Sequence, residues 1–589
     1  MLHMCVAGPQ AAPQQRRDAP EPIPPLKPSQ KPNFIVILTD DVGYDDVGFQ
    51  NPRVSTPNID KLRQRSMVFD NFYTTPQCAQ SRAQFLTGRS FARTGTMAVS
   101  GGGEGLARVN GRYVVAREEG NVFDKLLCNQ TIEYLQQRKK DGQPFFVFWA
   151  ARSIHTNYVL PDPVTGEPKE RRIVPAQYRD KFNGPAYIGV AASTKDAWAF
   201  MEYLDDSLGP MFNFLASSAL DQSTYILFTS DNGPAVYADE KPPETKLIRM
   251  PSGMAGAKHS VLEGGIRNYL TVQGPGVKPG ASDSTMLAIS DLFPTLVDIA
   301  GVGATVPRGL PLDGISFKSF LSWDLTGRNV VKPQKLMSYH AGGSNWASTN
   351  VSLQGPGFKS CIVVRFRNYK WFGRSGIVYQ FVNRTQHLED PKHEVTGGRG
   401  VYFARKMSTA AEQWWQSVIN EPWSFQKPTY YLGLGNWTVT NMLAAGAHER
   451  TPSKIQLLLN GATGFYNAGE SMCFKLKVLK AGTYTATATY TSNIQATFKL
   501  SVGSYANIKA GSARSLTVQW PAQDVMRGML LGKLVLPASR QEMTEACLEL
   551  LSSATLDGKT AVFQSLANIQ WIRISRGRVQ GPRLLAWSR

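Results

Sequence analysis

Between residues 31 and 300 the apolar positions fall into two patterns. Three runs are continuous: Phe34-Ile35-Val36-Ile37-Leu38, Phe145-Phe146-Val147-Phe148-Trp149 and Tyr225-Ile226-Leu227-Phe228. Runs of this length without polar alternation suit strands covered on both faces, as in a parallel sheet. The second pattern is helical. Ala197, Met201, Leu204, Leu208, Phe212 and Leu215 recur at spacings of three and four and predict a long amphipathic helix. Further helices are predicted at 128–140 and around 289–300, the latter stopped by Gly301. Thr56-Pro57 opens another, with Thr56 as its cap and Pro57 in the first turn. Strands alternating with helices predict an α/β fold with a mostly parallel sheet flanked by helices. Such sheets bind ligands beyond the carboxyl ends of their strands. Here those ends carry Asp40-Asp41, His155 and Asp231-Asn232, so three strands are expected to bring polar groups to one edge.

From about residue 422 the pattern changes to period two. Thr483-Tyr484-Thr485-Ala486-Thr487-Ala488-Thr489-Tyr490 alternates strictly, Phe498, Leu500 and Val502 repeat the alternation, and Gly482, Gly503 and Gly511 punctuate it. This predicts an antiparallel β-sandwich. A chain of 589 residues exceeds what one core supports. The expected division is a disordered Pro-rich leader at 1–30, an α/β domain at 31–420, a sandwich at 421–575 and a basic tail at 576–589.

The net charge of +19 reads either as a solvated surface or as steering of a polyanionic partner. No basic run is interleaved with aromatics, which argues against nucleic acid. No apolar run approaches the ~20 residues of a membrane span. The six cysteines, at 5, 78, 128, 361, 473 and 547, form no CxxC pair, so neither a disulfide framework nor a zinc site is expected. Glycosylation sequons at Asn129, Asn350, Asn383 and Asn436 give weak support for secretion, whereas residues 1–30 lack the apolar segment of a signal peptide.

The candidate chemistry lies at the strand ends. Asp40, Asp41, Asp231 and Asn232 offer oxygen ligands, which favour calcium, and less so magnesium, over zinc. Either pair alone also reads as a turn after a strand. Cys78 heads the segment Cys78-Ala79-Gln80-Ser81-Arg82-Ala83-Gln84-Phe85-Leu86-Thr87-Gly88-Arg89. A helix N-terminus there would favour an anion, and Arg82 would add a fixed positive charge. A lone cysteine is otherwise a small buried hydrophobe.

These stretches occur in one order: Ile37 to Tyr44, Thr56-Pro57-Asn58-Ile59-Asp60, Cys78 to Arg89, Thr229-Ser230-Asp231-Asn232-Gly233, Lys258 with Glu263-Gly264-Gly265-Ile266-Arg267, and Asp291-Leu292-Phe293-Pro294-Thr295-Leu296. Over about residues 31–400 the chain resembles the sulfatase family of the alkaline-phosphatase superfamily. The resemblance implies that a maturation enzyme oxidises Cys78 to formylglycine. The hydrated aldehyde then attacks sulfur, and collapse of the resulting hemiacetal releases sulfate. It also implies calcium held by Asp40, Asp41, Cys78, Asp231 and Asn232, with Arg82 orienting the formylglycine. Lys258 would bind the sulfate and assist the leaving oxygen, and His155 would contact the sulfate or the leaving group. His259 is expected to line the pocket or the surface. The secretory route is the family habit.

Two departures bear on activity. Gln80 stands where the family motif has proline or alanine, and the maturation enzyme reads that position. A Gly-Lys-Trp-His-type segment is missing from a shortened 90–128 region. The sandwich resembles galactose-binding-like carbohydrate modules, with Trp437, Tyr484 and Trp520 either stacking on sugar rings or packing the core. The expected function is a calcium-dependent sulfuric ester hydrolase acting on sulfate monoesters of a carbohydrate. The alternatives are a degenerate sulfatase-fold binding protein and a phosphate or phosphonate monoester hydrolase.

Overall fold

In the computed structural model, β1 (Asn33–Thr39) is buried at every position. Ile35 and Ile37 face one apolar core while Phe34, Val36 and Leu38 face another, which is why its sequence is continuously apolar. The structure describes residues 20–94, 107–109, 112–114, 123–151, 154–155, 158–161, 168–171, 174–236, 252–303, 312–321, 335–339, 362–381, 391–421, 429–433, 439–443, 447–449, 456–458, 461–463, 465, 468–492, 495–539, 544–553 and 568–576.

Among these residues the main sheet has seven strands. Besides β1 they are β2 (Met67–Tyr73), β3 (Phe146–Ala150), β4 (Thr224–Ser230), β5 (Arg267–Gln273), β6 (Ser282–Asp283) and β7 (Leu287–Ala288). The order is β6-β2-β5-β4-β1-β3, with β7 also on β2. β5 runs against its neighbours and all the other strands are parallel, as expected from the sequence. Leu38 pairs with both Ala150 and Thr229, so β3, β1 and β4 end level at one edge.

Helices α1 (Pro57–Gln64), α2 (Cys78–Thr87), α3 (Phe123–Asp141), α4 (Ala192–Ser217) and α5 (Leu292–Ala300) flank the sheet. One core joins Ile59, Leu135, Trp198 and Leu204 to one face of β1, and the other joins Phe72, Phe85 and Leu292 to its opposite face. Each such fully buried side chain contributes about 1.5–3 kcal/mol.

Thr56 does not cap α1 with its side chain. Its hydroxyl accepts from the Gly48 N–H and donates to Asp60 instead. Asp205 of α4 supplies the cap by accepting from the Asn58 and Ile59 N–H groups at 3.1 and 2.7 Å. Gly301 does stop α5, in a left-handed conformation with φ 70°.

Asp291, just before α5, is fully buried and accepts from the Ala288 and Ile315 N–H groups, both at 2.8 Å. Burial outweighs those bonds and pushes its carboxyl up to about 7. A raised acid favours the protonated native state. Stability should therefore fall as pH rises from the ordinary value of 3.8 through about 7. Asp291→Asn should flatten that slope in thermal unfolding scans, so that the gap to wild type narrows at the alkaline end.

A four-stranded antiparallel sheet, Lys335–Tyr339, Ile362–Phe366, Tyr369–Phe372 and Val378–Gln380, lies beyond the main sheet. It packs under α6 (Gly397–Ile419) through Met407, Ala411 and Trp415. Further on, two six-stranded sheets built from segments between residues 429 and 576 share one apolar core.

Tyr484 and Trp520 are 1% and 0% exposed within that core, so of the two readings they pack the core and do not stack on a sugar; Trp437 lies outside the described residues. Other expectations are corrected. Cys473 and Cys547, 74 residues apart, face each other on adjacent strands and form a disulfide that sequence spacing did not predict. The leader is not disordered throughout, since Ile23 is buried and its carbonyl accepts from the Gly276 N–H at 2.8 Å. Residues 1–19, most of the 90–128 region in which a segment was expected to be missing, and Asn350, Asn383 and Asn436 lie outside the described residues. Asn129 is exposed on α3. Among the described residues no helix is long and apolar enough to cross a membrane.

Candidate active site

The level ends of β1, β3 and β4 determine what meets at the edge of the sheet. β1 runs into Asp40-Asp41, β4 into Asp231-Asn232, and β3 leads to His155. Asp41 turns into the left-handed region with φ 61°, a conformation that a residue with a side chain adopts only when its surroundings enforce it. The enforcing contacts come from the end of β4. The Asp231 carboxylate accepts from the Asp41 N–H at 3.3 Å, Ser230 Oγ accepts from the Val42 N–H at 3.2 Å, and Asn232 Nδ2 donates to Asp41 Oδ1 at 2.8 Å.

α2 begins at Cys78, as the sequence suggested. Ser81 Oγ accepts from the Thr75 N–H at 2.8 Å and fixes the approach to the helix. Arg82 lies one turn beyond Cys78 and so shares its face. Its Nε donates to Asp231 Oδ2 at 2.9 Å and its Nη2 to Asp40 Oδ2 at 3.1 Å. Gln80 is buried.

Lys258 reaches the cluster from a loop that must pass very close to the end of β4. A Cβ on Gly233 would lie 1.9 Å from the Gly264 carbonyl oxygen, so only glycine admits this approach. The loop is tied down by the Lys258 N–H donating to the Pro234 carbonyl at 2.9 Å. Lys258 Nζ then stands 2.7 Å from Asp41 Oδ1, and His155 Nε2 is 3.9 Å from Asp41 Oδ2.

Ligand atoms of Asp40, Asp41 and His155 lie within 4.8 Å of one another, and so do those of Asp40, Cys78 and Asp231. All eight residues singled out from the sequence therefore converge: Asp40, Asp41, Cys78, Arg82, His155, Asp231, Asn232 and Lys258. Gln77 was not anticipated. It is buried just before Cys78, and its Nε2 donates to His259 Nδ1 at 3.1 Å.

The electrostatics are those of crowded carboxylates. Burial, reinforced by Asp40, pushes Asp231 up to about 7. Asp41 is held below the usual carboxylate range, because Lys258 and His155 together outweigh its burial. Burial, then Asp231 and Asp40, push the Cys78 thiol up to about 12. Burial opposes the charges of Arg82 and Lys258, yet the neighbouring aspartates raise both.

The donor set fits a hard cation. It is dominated by oxygen, and Asn232 Oδ1 is buried with no hydrogen-bond partner among the described residues. A divalent ion would offset the mutual repulsion that raises Asp231.

The Sulfatase family model matches residues 32–110 and 101–302, the part of the chain that holds this cluster. Human N-acetylgalactosamine-6-sulfatase is 24% identical over 403 residues, covering 54% of this chain and 70% of that protein. Human arylsulfatase A is 23% identical over 382 residues, covering 50% and 69%. The solved structure of Ps i-CgsB in complex with k-i-k-neocarrahexaose aligns with a TM-score of 0.50 at 19% identity, covering 66% of this chain and 93% of that one. That likeness shows the fold, an α/β sheet of the alkaline-phosphatase type with flanking helices. The match and the relatives support the sulfatase family for this chain.

Proposed function

We propose that the chain hydrolyses sulfate monoesters of a carbohydrate at the cluster around Asp41. The observation that carries this reading is the convergence of three strand ends on the N-terminus of α2, with Arg82 and Lys258 engaged on their carboxylates. The sulfated sugar named in the first relative favours a sugar 6-sulfate as the substrate class.

Asp40, Asp41, Asp231 and Asn232 would hold calcium, with Cys78 at its edge. When bound, calcium would polarise the sulfate. Cys78, converted to formylglycine, would supply the nucleophile. Arg82 would keep that residue oriented, because its guanidinium is fixed from two sides by Asp231 and Asp40. Lys258 remains cationic and would neutralise a sulfate oxygen, while His155 would hydrogen-bond the substrate from the end of β3. The Cys473–Cys547 disulfide suits a secretory route.

Purified protein with verified formylglycine and added calcium should release sulfate from sugar and aryl sulfates, faster than phosphate from matched phosphates. Absence of sulfate release under those conditions would refute the reading. Faster phosphate release would favour a phosphomonoesterase.

Chelation should abolish turnover, and calcium should restore it. Calcium should also raise the unfolding temperature, since a ligand that binds only the native state stabilises by about 2.7 kcal/mol at a hundredfold excess over its Kd. A thermal scan that does not respond to calcium would count against the metal assignment. A non-catalytic binding role is motivated by Gln80, and sulfate release that disappears in Cys78→Ala would exclude it.

A further inference from the structure

Among the described residues, the antiparallel ladder between β4 and β5 ends where Phe228 pairs with Thr271. Beyond that pair, towards the site, side chains join the two strands. Thr229 Oγ1 donates to the Tyr269 carbonyl at 2.6 Å, and Asn268 Nδ2 donates to the Asn232 carbonyl at 3.1 Å. Asn268 and Asn232 are both 0% exposed. The Asn232 carbonyl also accepts from Ser230 Oγ at 3.1 Å, so it would be paired without Asn268. Asn268 Oδ1, in turn, is buried with no hydrogen-bond partner among the described residues. An apolar side chain of the same shape would avoid that cost. Local stability therefore does not account for an asparagine at position 268.

Its donor acts on Asn232. The side-chain nitrogen of Asn232 donates to Asp41 Oδ1 at 2.8 Å and to the Gly233 carbonyl at 2.7 Å. A carboxylate and a carbonyl only accept, so the amide cannot be turned over, and its oxygen is the end left without a partner. The peptide that follows leads into Gly233, which without a Cβ sets few limits on its own backbone. Hydrogen bonds fix that peptide instead. Ser230 and Asn268 hold its oxygen, and its N–H donates to the Gly265 carbonyl at 3.0 Å.

We propose that Asn268 is a positioning residue for the cation site: by clamping the Asn232 carbonyl it keeps the Asn232 amide oxygen presented as a ligand. This rests on the reading of Asp40, Asp41, Asp231 and Asn232 as a calcium site. In this role Asn268 acts through Asn232 and is not itself a ligand. Partners of this kind, one step behind the ligands, set how well a ligand is oriented before the metal arrives.

The test is calorimetric titration of calcium chloride into the metal-free full chain. It compares wild type with Asn268→Leu, whose side chain has a similar shape and no donor. Calcium binding by Asn268→Leu should be about tenfold weaker. Its metal-free unfolding temperature should be unchanged or higher, because an unpartnered oxygen is removed. A purely structural role predicts the reverse, lower stability with unchanged affinity. The effect should also vanish once Asn232 cannot ligate. In an Asn232→Ala background, Asn268→Leu should cause no further loss of calcium affinity. Asn268→Ser, whose hydroxyl falls short of the Asn232 carbonyl, should show the same loss of about tenfold and serves if leucine does not fit.

Equal calcium affinity of wild type and the Asn268 variants would overturn the proposal and leave the calcium reading standing. A loss of the same size in the Asn232→Ala background would also overturn it, since Asn268 would then act by another route. Wild type that binds no calcium would overturn it together with the calcium reading.

Discussion

Cys78→Ala is expected to lower sulfate release by on the order of 10⁵ while leaving the fold intact. Removing a nucleophile from an assembled site typically leaves only the residual acceleration given by binding and electrostatics. The carboxylates, Arg82 and Lys258 contact one another rather than depending on Cys78. The methyl group of alanine would still fit the first position of α2. Steady-state turnover on a sugar sulfate, with unfolding curves as a control, checks this. A variant that retains more than about a tenth of wild-type activity would show that the nucleophile lies elsewhere.

The second large effect concerns stability. Glu263 is fully buried where the main sheet meets the four-stranded sheet. Its Oε1 accepts from Lys370 Nζ at 3.0 Å and its Oε2 from the Tyr73 hydroxyl at 2.7 Å, with Arg365 and Arg267 at 3.8 and 3.9 Å. Burial opposes its charge, but Lys370, Arg365 and Arg267 outweigh burial and hold the carboxyl down at about 2. Because this pKa is depressed, its stabilisation is complete above the usual 4.5 and is lost as pH falls through about 2.

Glu263→Gln would remove the buried anion that three buried cations share, at a cost of about 3–5 kcal/mol. That is comparable with the whole margin of a typical domain, roughly 5–15 kcal/mol. The variant should unfold at much lower urea concentration or fail to accumulate. Adding Lys370→Met should recover part of the loss, because a cation that needs pairing is then removed. A Glu263→Gln protein as stable as wild type would show that the cluster contributes little.

The sequence made β1, β3, β4, α2 and α4 legible for a physical reason. β1 and β4, largely buried on both faces, leave continuous apolar runs, and a long helix leaves a three-and-four spacing, so these elements record their burial locally; β3 is equally apolar but is the edge strand, with Phe146 half exposed, so its run marked a strand without marking full burial. The candidate site was legible for a related reason. Its carboxylates come as adjacent pairs immediately after those strands, and level strand ends bring such pairs together.

What stayed hidden depends on partners distant in sequence. The cap of α1 comes from Asp205 on another helix, and Thr56, the local candidate, serves a different bond. The Cys473–Cys547 bridge follows from the register of two strands and not from spacing. The four-stranded sheet at 335–380 shows no strong alternation, because its strands are short and their charged members, Arg365 and Lys370, are buried against Glu263. Gln77 and His259 were separated by 182 positions, and nothing local marks them as a pair.

The central claim is that position 78 carries the nucleophile of a sulfate ester hydrolase. Mass spectrometry of the tryptic peptide spanning residues 66–82, from protein made in its native host, tests this most directly. The account predicts the mass of an aldehyde at position 78 in place of the thiol, despite Gln80 two residues on. A peptide that carries only unmodified cysteine would contradict it.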